Sequence, residues 1–138
     1  MLKNLKKQLL MAAVCGVAGL AHAQAWPSKT ITVVVPFPPG GTTDVLARAV
    51  ATKLSANVGQ PVIVDNKPGA GATLGAAQVA KATSDGYTLL MGAVHHTIAT
   101  SVYKGLTYSF EKDFAPITTV ALVPNVLVVN AKSPYNSV

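Results

Sequence analysis

Between residues 36 and 41 the sequence reads Pro36-Phe37-Pro38-Pro39-Gly40-Gly41, and Thr42, Thr43 and Asp44 follow directly. Prolines lack a backbone N–H and glycines favour turns, so this run cannot continue a paired strand. Adjacent glycines let the backbone approach a ligand closely. A helix starting just after them presents unpaired N–H groups and a partial positive charge, which together hold anions. The hydroxyls of Thr42 and Thr43 add donors, and Phe37 offers an apolar wall. Asp44 weighs against a strongly anionic group touching this helix start. Its expected work is to cap N–H groups, or to meet a polar part of the ligand or a bridging water. The plainer alternative is that the glycines only permit a tight turn from strand to helix.

Two further stretches have the right composition to line a site. Gly69, Ala70, Gly71, Ala72 and Thr73 follow Asn66-Lys67-Pro68. A dinucleotide site needs glycines directly after a strand and an acidic residue at the end of the next one. Here Pro68 intervenes, and Asp85 precedes the next strand. The better reading is a second backbone-rich wall, with Asn66 as a side-chain donor. Gly92 and Ala93 lead into the adjacent pair His95 and His96. Neighbours on an extended chain point to opposite sides, so the two histidines do not easily share a metal. No nearby carboxylate or third histidine completes a set. At most one of them is expected to line the cleft, the alternative being surface exposure or hydrogen bonding in the core, and neither is expected to bind metal. For catalysis there is no G-x-S-x-G and no pair of acids placed for acid–base work.

These stretches need a scaffold. Residues 30–35 are β-branched and apolar with little alternation, as in a strand buried on both faces of a parallel sheet. Thr42 or Thr43 is expected to cap a helix that runs to about Asn57, with Leu46, Val50 and Leu54 on its apolar face. Gly59 lies just past its end. The cycle repeats with a strand at 62–64, a loop at 65–71, a small-residue helix at 74–82, a turn at 84–86 and a third strand at 87–91. Strand–helix–strand–helix–strand with short links implies right-handed crossovers and a parallel α/β sheet. In an open parallel sheet, ligands sit beyond the carboxyl ends of the strands, where the three candidate loops fall. After Ala93 the pattern loosens. Residues 103–113 read as an irregular excursion, and 115–123 and 126–129 as two more extended segments broken by Pro124.

The N-terminus points to export. Lys3, Lys6 and Lys7 precede a continuous apolar stretch at 9–20, and Ala21-His22-Ala23 supplies a small–x–small cleavage pattern. A secretory signal cleaved after Ala23 is expected, leaving Gln24 first. Cys15, the single cysteine, lies inside this leader, and Val14 spoils the lipoprotein pattern. The formal charge of +6 is inflated by the three leader lysines, and the other charges are scattered singly. That excludes the clustered basic face of a nucleic-acid binder. No later stretch has the length of a membrane-spanning helix. No cofactor is called for.

The run from Trp26-Pro27-Ser28-Lys29-Thr30 through Asp44 resembles the start of the Bug family, the extracytoplasmic substrate-binding proteins of tripartite tricarboxylate transporters. The resemblance continues through Gly59-Gln60-Pro61-Val62, Asn66-Lys67-Pro68-Gly69-Ala70-Gly71, Asp85-Gly86-Tyr87-Thr88-Leu89-Leu90-Met91-Gly92, Asp113-Phe114-Ala115-Pro116-Ile117 and Pro124-Asn125-Val126-Leu127-Val128-Val129. It implies a periplasmic-binding-protein-like α/β fold of type II, with a ligand cleft between two lobes. It also implies capture of a small carboxylate or related solute, without catalysis, for delivery to membrane permease subunits. The loop holding Phe37, Pro38, Gly40, Gly41, Thr42 and Thr43 is implied to grip the ligand carboxylate through backbone groups and ordered water. The loops at 66–73 and 92–96 are implied to face the same cleft. Family members run to roughly twice this length, so residues 24–120 are expected to form part of the first lobe. Residues 121–138 are expected to cross towards a second lobe that is mostly missing. The segment Lys104-Gly105-Leu106-Thr107-Tyr108 departs from the family pattern in lacking a proline before the tyrosine. The competing reading is a secreted α/β enzyme fragment acting on a carboxylated small molecule, which turnover of a bound carboxylate would reveal.

Overall fold

The computed structural model describes residues 26–124 and 126–134. The export signal at 1–23, its cleavage point, and part of the 121–138 crossover lie outside the described residues. Strand β1, Ile31–Val35, is the middle of a three-stranded parallel sheet ordered β2-β1-β3. Strand β2 is Val62–Asn66, and β3 is Thr88–Leu90. Ile31 lies opposite Val62 and Val35 opposite Asn66, while Thr32 faces Thr88 on the other side. Bonds from Thr32 N–H to the Tyr87 carbonyl (2.8 Å) and from Met91 N–H to the Val34 carbonyl (2.9 Å) continue the β3 pairing past both its ends. The β-branched run of β1 follows from its place. Val33 and Val35 pack with Ala47 of the first helix. Val34, on the other side of the pleat, is also buried.

Helix α1, Thr42–Val58, lies against β1 and β2. Its buried positions are Asp44, Ala47 and Ala51, not the expected stripe of Leu46, Val50 and Leu54, which is only half-buried. Small residues at the contact let the helix backbone approach the sheet, and the larger aliphatics flank that seam. Gly59 closes the helix in the left-handed conformation (φ 69°) and gives its N–H to the Ser55 carbonyl at 3.0 Å. A short 3-10 turn, Ala70–Ala72, leads into α2, Thr73–Ala80, which lies against β1 and β3.

Three elements differ from the sequence expectation. Asp65 and Asn66 belong to β2, not to the following loop. A third helix, α3, His95–Val102, stands where the pattern loosens. The segments at 115–123 and 126–129 have no strand partners among the described residues. Leu122, Val126, Leu127 and Val128 are 78–90% exposed. Their composition suits strands, but a strand exists only where a ladder accepts it. Among the described residues, no helix is long and apolar enough to cross a membrane.

Candidate functional site

Because all three strands run in parallel, the loops leaving them gather at one edge of the sheet. Loop 1 (36–41) leaves the central strand, and loops 2 (67–72) and 3 (91–94) flank it. The chain steps from β1 to β2, then crosses back over β1 to β3, and such a reversal of direction is where an open α/β sheet holds ligands.

Loop 1 turns at Gly40, whose φ of 85° suits glycine. Gly41 is the N-cap residue of α1, with ordinary extended backbone (φ −75°, ψ 166°) and no side-chain cap. Neither Thr42 nor Thr43 caps the helix, contrary to expectation, because the helix already begins at Thr42. The Val45 N–H to Gly41 carbonyl bond, 3.0 Å, opens the helical ladder. The N–H groups of Thr42, Thr43 and Asp44 therefore have no partner within the helix.

Asp44 is the buried hub of this loop. Its Oδ2 accepts from the Gly40 N–H at 2.9 Å and from Arg48 Nε at 3.0 Å. Its Oδ1 accepts from Asn66 Nδ2 at 2.9 Å and pairs with the Arg48 guanidinium at 3.0 Å. Bonds from Arg48, then from the Gly40 backbone and Asn66, hold the Asp44 carboxyl down at about 2. Asn66 also donates to the Phe37 carbonyl at 3.1 Å and accepts from Arg48 at 3.0 Å. Both Asn66 amide hydrogens are thus engaged within the protein, and the side chain fixes loop 1 to the end of β2. Arg48 was not singled out from the sequence. Its signal was there, an arginine one helical turn after an aspartate.

Loop 2 contains four consecutive residues with positive φ: Gly69 (136°), Ala70 (47°), Gly71 (61°) and Ala72 (72°). Two are alanines, each at a strain of about 1–3 kcal/mol, and such strain clusters at ligand clamps. Thr73, buried, donates its hydroxyl to the Ala70 carbonyl at 2.7 Å and so steadies the turn. A side chain at Gly71 would collide with the Tyr103 hydroxyl.

In loop 3, Gly92 and Ala93 enter α3, and its first two residues are the paired histidines. They sit on a helix, not on the expected extended chain, and successive side chains there still point about 100° apart. His95 is exposed, and its ring meets Phe37 edge-on at 5.4 Å. His96 is 1% exposed. Gly71, His95, Ile98, Ala99, Val102 and Tyr103 line a small apolar hollow of about 180 Å³ between loop 2 and α3. Tyr103, Ile98 and Val102 were missed from sequence because α3 was. Among the described residues, no cluster of three or more histidine, cysteine or acidic side chains could hold a metal ion. A broader groove of about 660 Å³ runs along α1 and β2, away from the loops. Its Thr52 and Ser55 hydroxyls already donate to the Arg48 and Gln60 carbonyls, so it lacks the free convergent donors of loop 1.

Comparison with known proteins gives a consistent picture. The model of the tripartite tricarboxylate transporter family receptor matches residues 46–138. Protein BugT of Bordetella pertussis is 40% identical over 130 residues, covering 93% of this chain and 40% of that protein. A protein encoded in the tcbD-tcbE intergenic region of Pseudomonas sp. strain P51 is 43% identical over 114 residues, covering 83% and 34%. Among solved structures, MatC of Rhodopseudomonas palustris with bound malate superposes with a TM-score of 0.61 at 42% identity, covering 66% of this chain and 31% of that one. The chain thus spans well under half the length of these relatives.

Proposed function

The chain belongs to the tripartite tricarboxylate transporter receptor family, and on that footing we propose that it supplies the ligand-gripping loops of an exported solute receptor. The solute is a small carboxylate, bound and released unchanged in the periplasm and passed to membrane permease subunits. Family membership supports a solute-binding role, and the local chemistry supports a carboxylate. The observation that carries this reading is loop 1. There the free N–H groups of Thr42 and Thr43 lie at the positive end of a 17-residue helix, beside a carboxylate already neutralised by Arg48. In this reading the Gly41, Thr42 and Thr43 amides meet the carboxylate, and Phe37 with His95 forms one wall. Gly69, Ala70 and Gly71 form the opposite wall, and Gly92 and Ala93 close the third side. Asp44, Asn66 and Thr73 hold the loops in shape.

Malate, the ligand of the solved relative, is the natural probe. Amide NMR of the chain should show saturable shifts at Gly41, Thr42 and Thr43. The expected Kd is millimolar, about 4 kcal/mol of binding, as suits an open single wall. Malate recovered unchanged afterwards fits a receptor. Shifts confined to other parts of the chain would move the site, and consumption of malate would favour an enzyme.

A further inference from the structure

We propose that His96 is a positioning residue for this site, a post that ties loops 1 and 3 together through one buried ring on the helix packed against loop 2. The inference rests on reading those loops as the ligand site.

The ring touches loops 1 and 3, and its helix packs on loop 2. Its Nδ1 lies 3.1 Å from the Ala93 N–H in loop 3. Phe37 of loop 1 meets it edge-on at 6.1 Å, with an interplanar angle of 84°. The turn of loop 2 packs against the helix that carries the ring, and the buried Nε2 has no hydrogen-bond partner. Phe110, from the irregular excursion, stacks on its face at 5.4 Å and 18°. Gly92 lies beside the ring, where a Cβ would stand 3.8 Å from Nδ1 and 3.7 Å from Phe110, in ordinary van der Waals contact.

The arrangement selects one chemical form of the imidazole. Two neutral tautomers are open, because Nδ1 also lies 3.0 Å from the Ala93 carbonyl. With the proton on Nδ1, the Ala93 N–H would lose its acceptor. With the proton on Nε2, Nδ1 accepts from the Ala93 N–H, and the Ala93 carbonyl still accepts from the His96 backbone N–H at 3.0 Å. The second form satisfies more of the buried groups. An imidazolium would set two donors against each other at Ala93. Burial, more than any other cause, favours the neutral ring, while the Ala93 and Ala72 backbones pull the other way. Phe37, Phe110, Gly92 and Ala72, which surround the ring, carry no charge. His95 on its own helix is the titratable group that acts on it.

Imidazole nitrogen NMR on the whole chain at pH 7.5 reads the form directly. The expected result is a neutral ring protonated on Nε2. A ring protonated on Nδ1, or charged, overturns the proposal. Two variants separate positioning from bulk packing. His96→Phe keeps the stack but removes the acceptor, and His96→Asn restores an acceptor near the Nδ1 position. Ala93 amide exchange should quicken at least tenfold in the first variant and return to within about threefold in the second. Amide signals at Phe37 and at Gly69, Gly71 and Ala72 should move with it, while those of Ala51 and Val33 stay still. A loss of melting temperature with no change in the loops would make His96 a core residue only and defeat the idea. If wild type shows the expected tautomer and loop coupling but no malate response, the carboxylate reading fails while the loop-tying role stands.

Discussion

Gly75 is the tightest contact between α2 and the candidate site, and replacing it with alanine gives a calculable perturbation. It is buried at the third position of α2. An added Cβ would lie 2.9 Å from the Lys67 carbonyl oxygen, 2.9 Å from Pro36 Cβ and 3.1 Å from Pro36 Cα. These are backbone and ring atoms, so none can swing aside, and the helix must back away. Overpacking of this size costs about 1–3 kcal/mol. Alanine recovers at most about 1 kcal/mol through its better helix propensity, less so near a helix start. The net expectation is a loss of about 1–2 kcal/mol, or roughly 4–16 °C in Tm for a domain of this size. Thermal unfolding by circular dichroism at fixed concentration measures it. A second signature belongs to the site. Pro36 opens loop 1 and Lys67 opens loop 2, so the wedge should shift the amide signals of Gly40 and Gly69 before global unfolding. An unchanged or raised Tm would show that α2 does not press on these loops, and the account of their spacing would be wrong.

Gly41→Val should leave the fold intact, because its backbone is extended and the nearest atom to a new Cβ, the Pro38 carbonyl oxygen, is 3.7 Å away. It should nonetheless abolish the malate response of the Thr42 and Thr43 amides, and an undiminished response would place the site elsewhere. Stability should fall with acid in two windows. The first opens as pH drops below 6.5, because the folded state lowers the pKa of His96 and the unfolded chain takes up the proton first. The second runs from 3.8 to about 2, as Asp44 is protonated. Urea midpoints against pH test both, and His96→Phe should flatten only the first. The exposed apolar side chains of Leu122, Val126, Leu127 and Val128 should make the chain associate at micromolar concentration and above. Val128→Lys should weaken that association in light scattering, whereas a wild type that stays monomeric would contradict the argument.

Some of this was legible in the sequence, for reasons that differ by element. Strand β1 shows itself because burial on both faces demands an unbroken β-branched run. The extent of α1 is readable, but its docking face is not. Alanines make the closest contact, and a periodicity count weighs them below Leu46, Val50 and Leu54. Helix α3 is short and half polar. The Thr97 and Thr100 hydroxyls return to the Val94 and Thr97 carbonyls, a local habit of such residues that masks helical character in the sequence. Residues 115–129 mislead in the opposite direction, since strand composition cannot announce whether a partner strand is present. The three loops were readable from glycine, proline and strand order alone. The separate fates of His95 and His96 were not, because they depend on Phe110, contributed by a segment with no periodic signal.

Asp44 raises the sharpest question about loop 1, since a carboxylate at a helix start takes the place an anionic ligand would want. Its neighbours answer it. The carboxylate is matched by Arg48 on the same helix, with contacts of 3.0 Å to both of its oxygens. The pair is neutral as a unit, so Asp44 does not set a bare negative charge against an incoming carboxylate. Its hydrogen bonds also point inward, to Gly40, Arg48 and Asn66, and these fix the turn that leads the chain into α1. The Thr42 and Thr43 amides remain outside that network, at the positive end of the helix. A carboxylate there gains from the helix dipole and from N–H donors that have no intrahelical partner. The same aspartate that weighs against an anion site in the bare sequence is therefore compatible with the proposed one, once Arg48 and Asn66 are placed beside it.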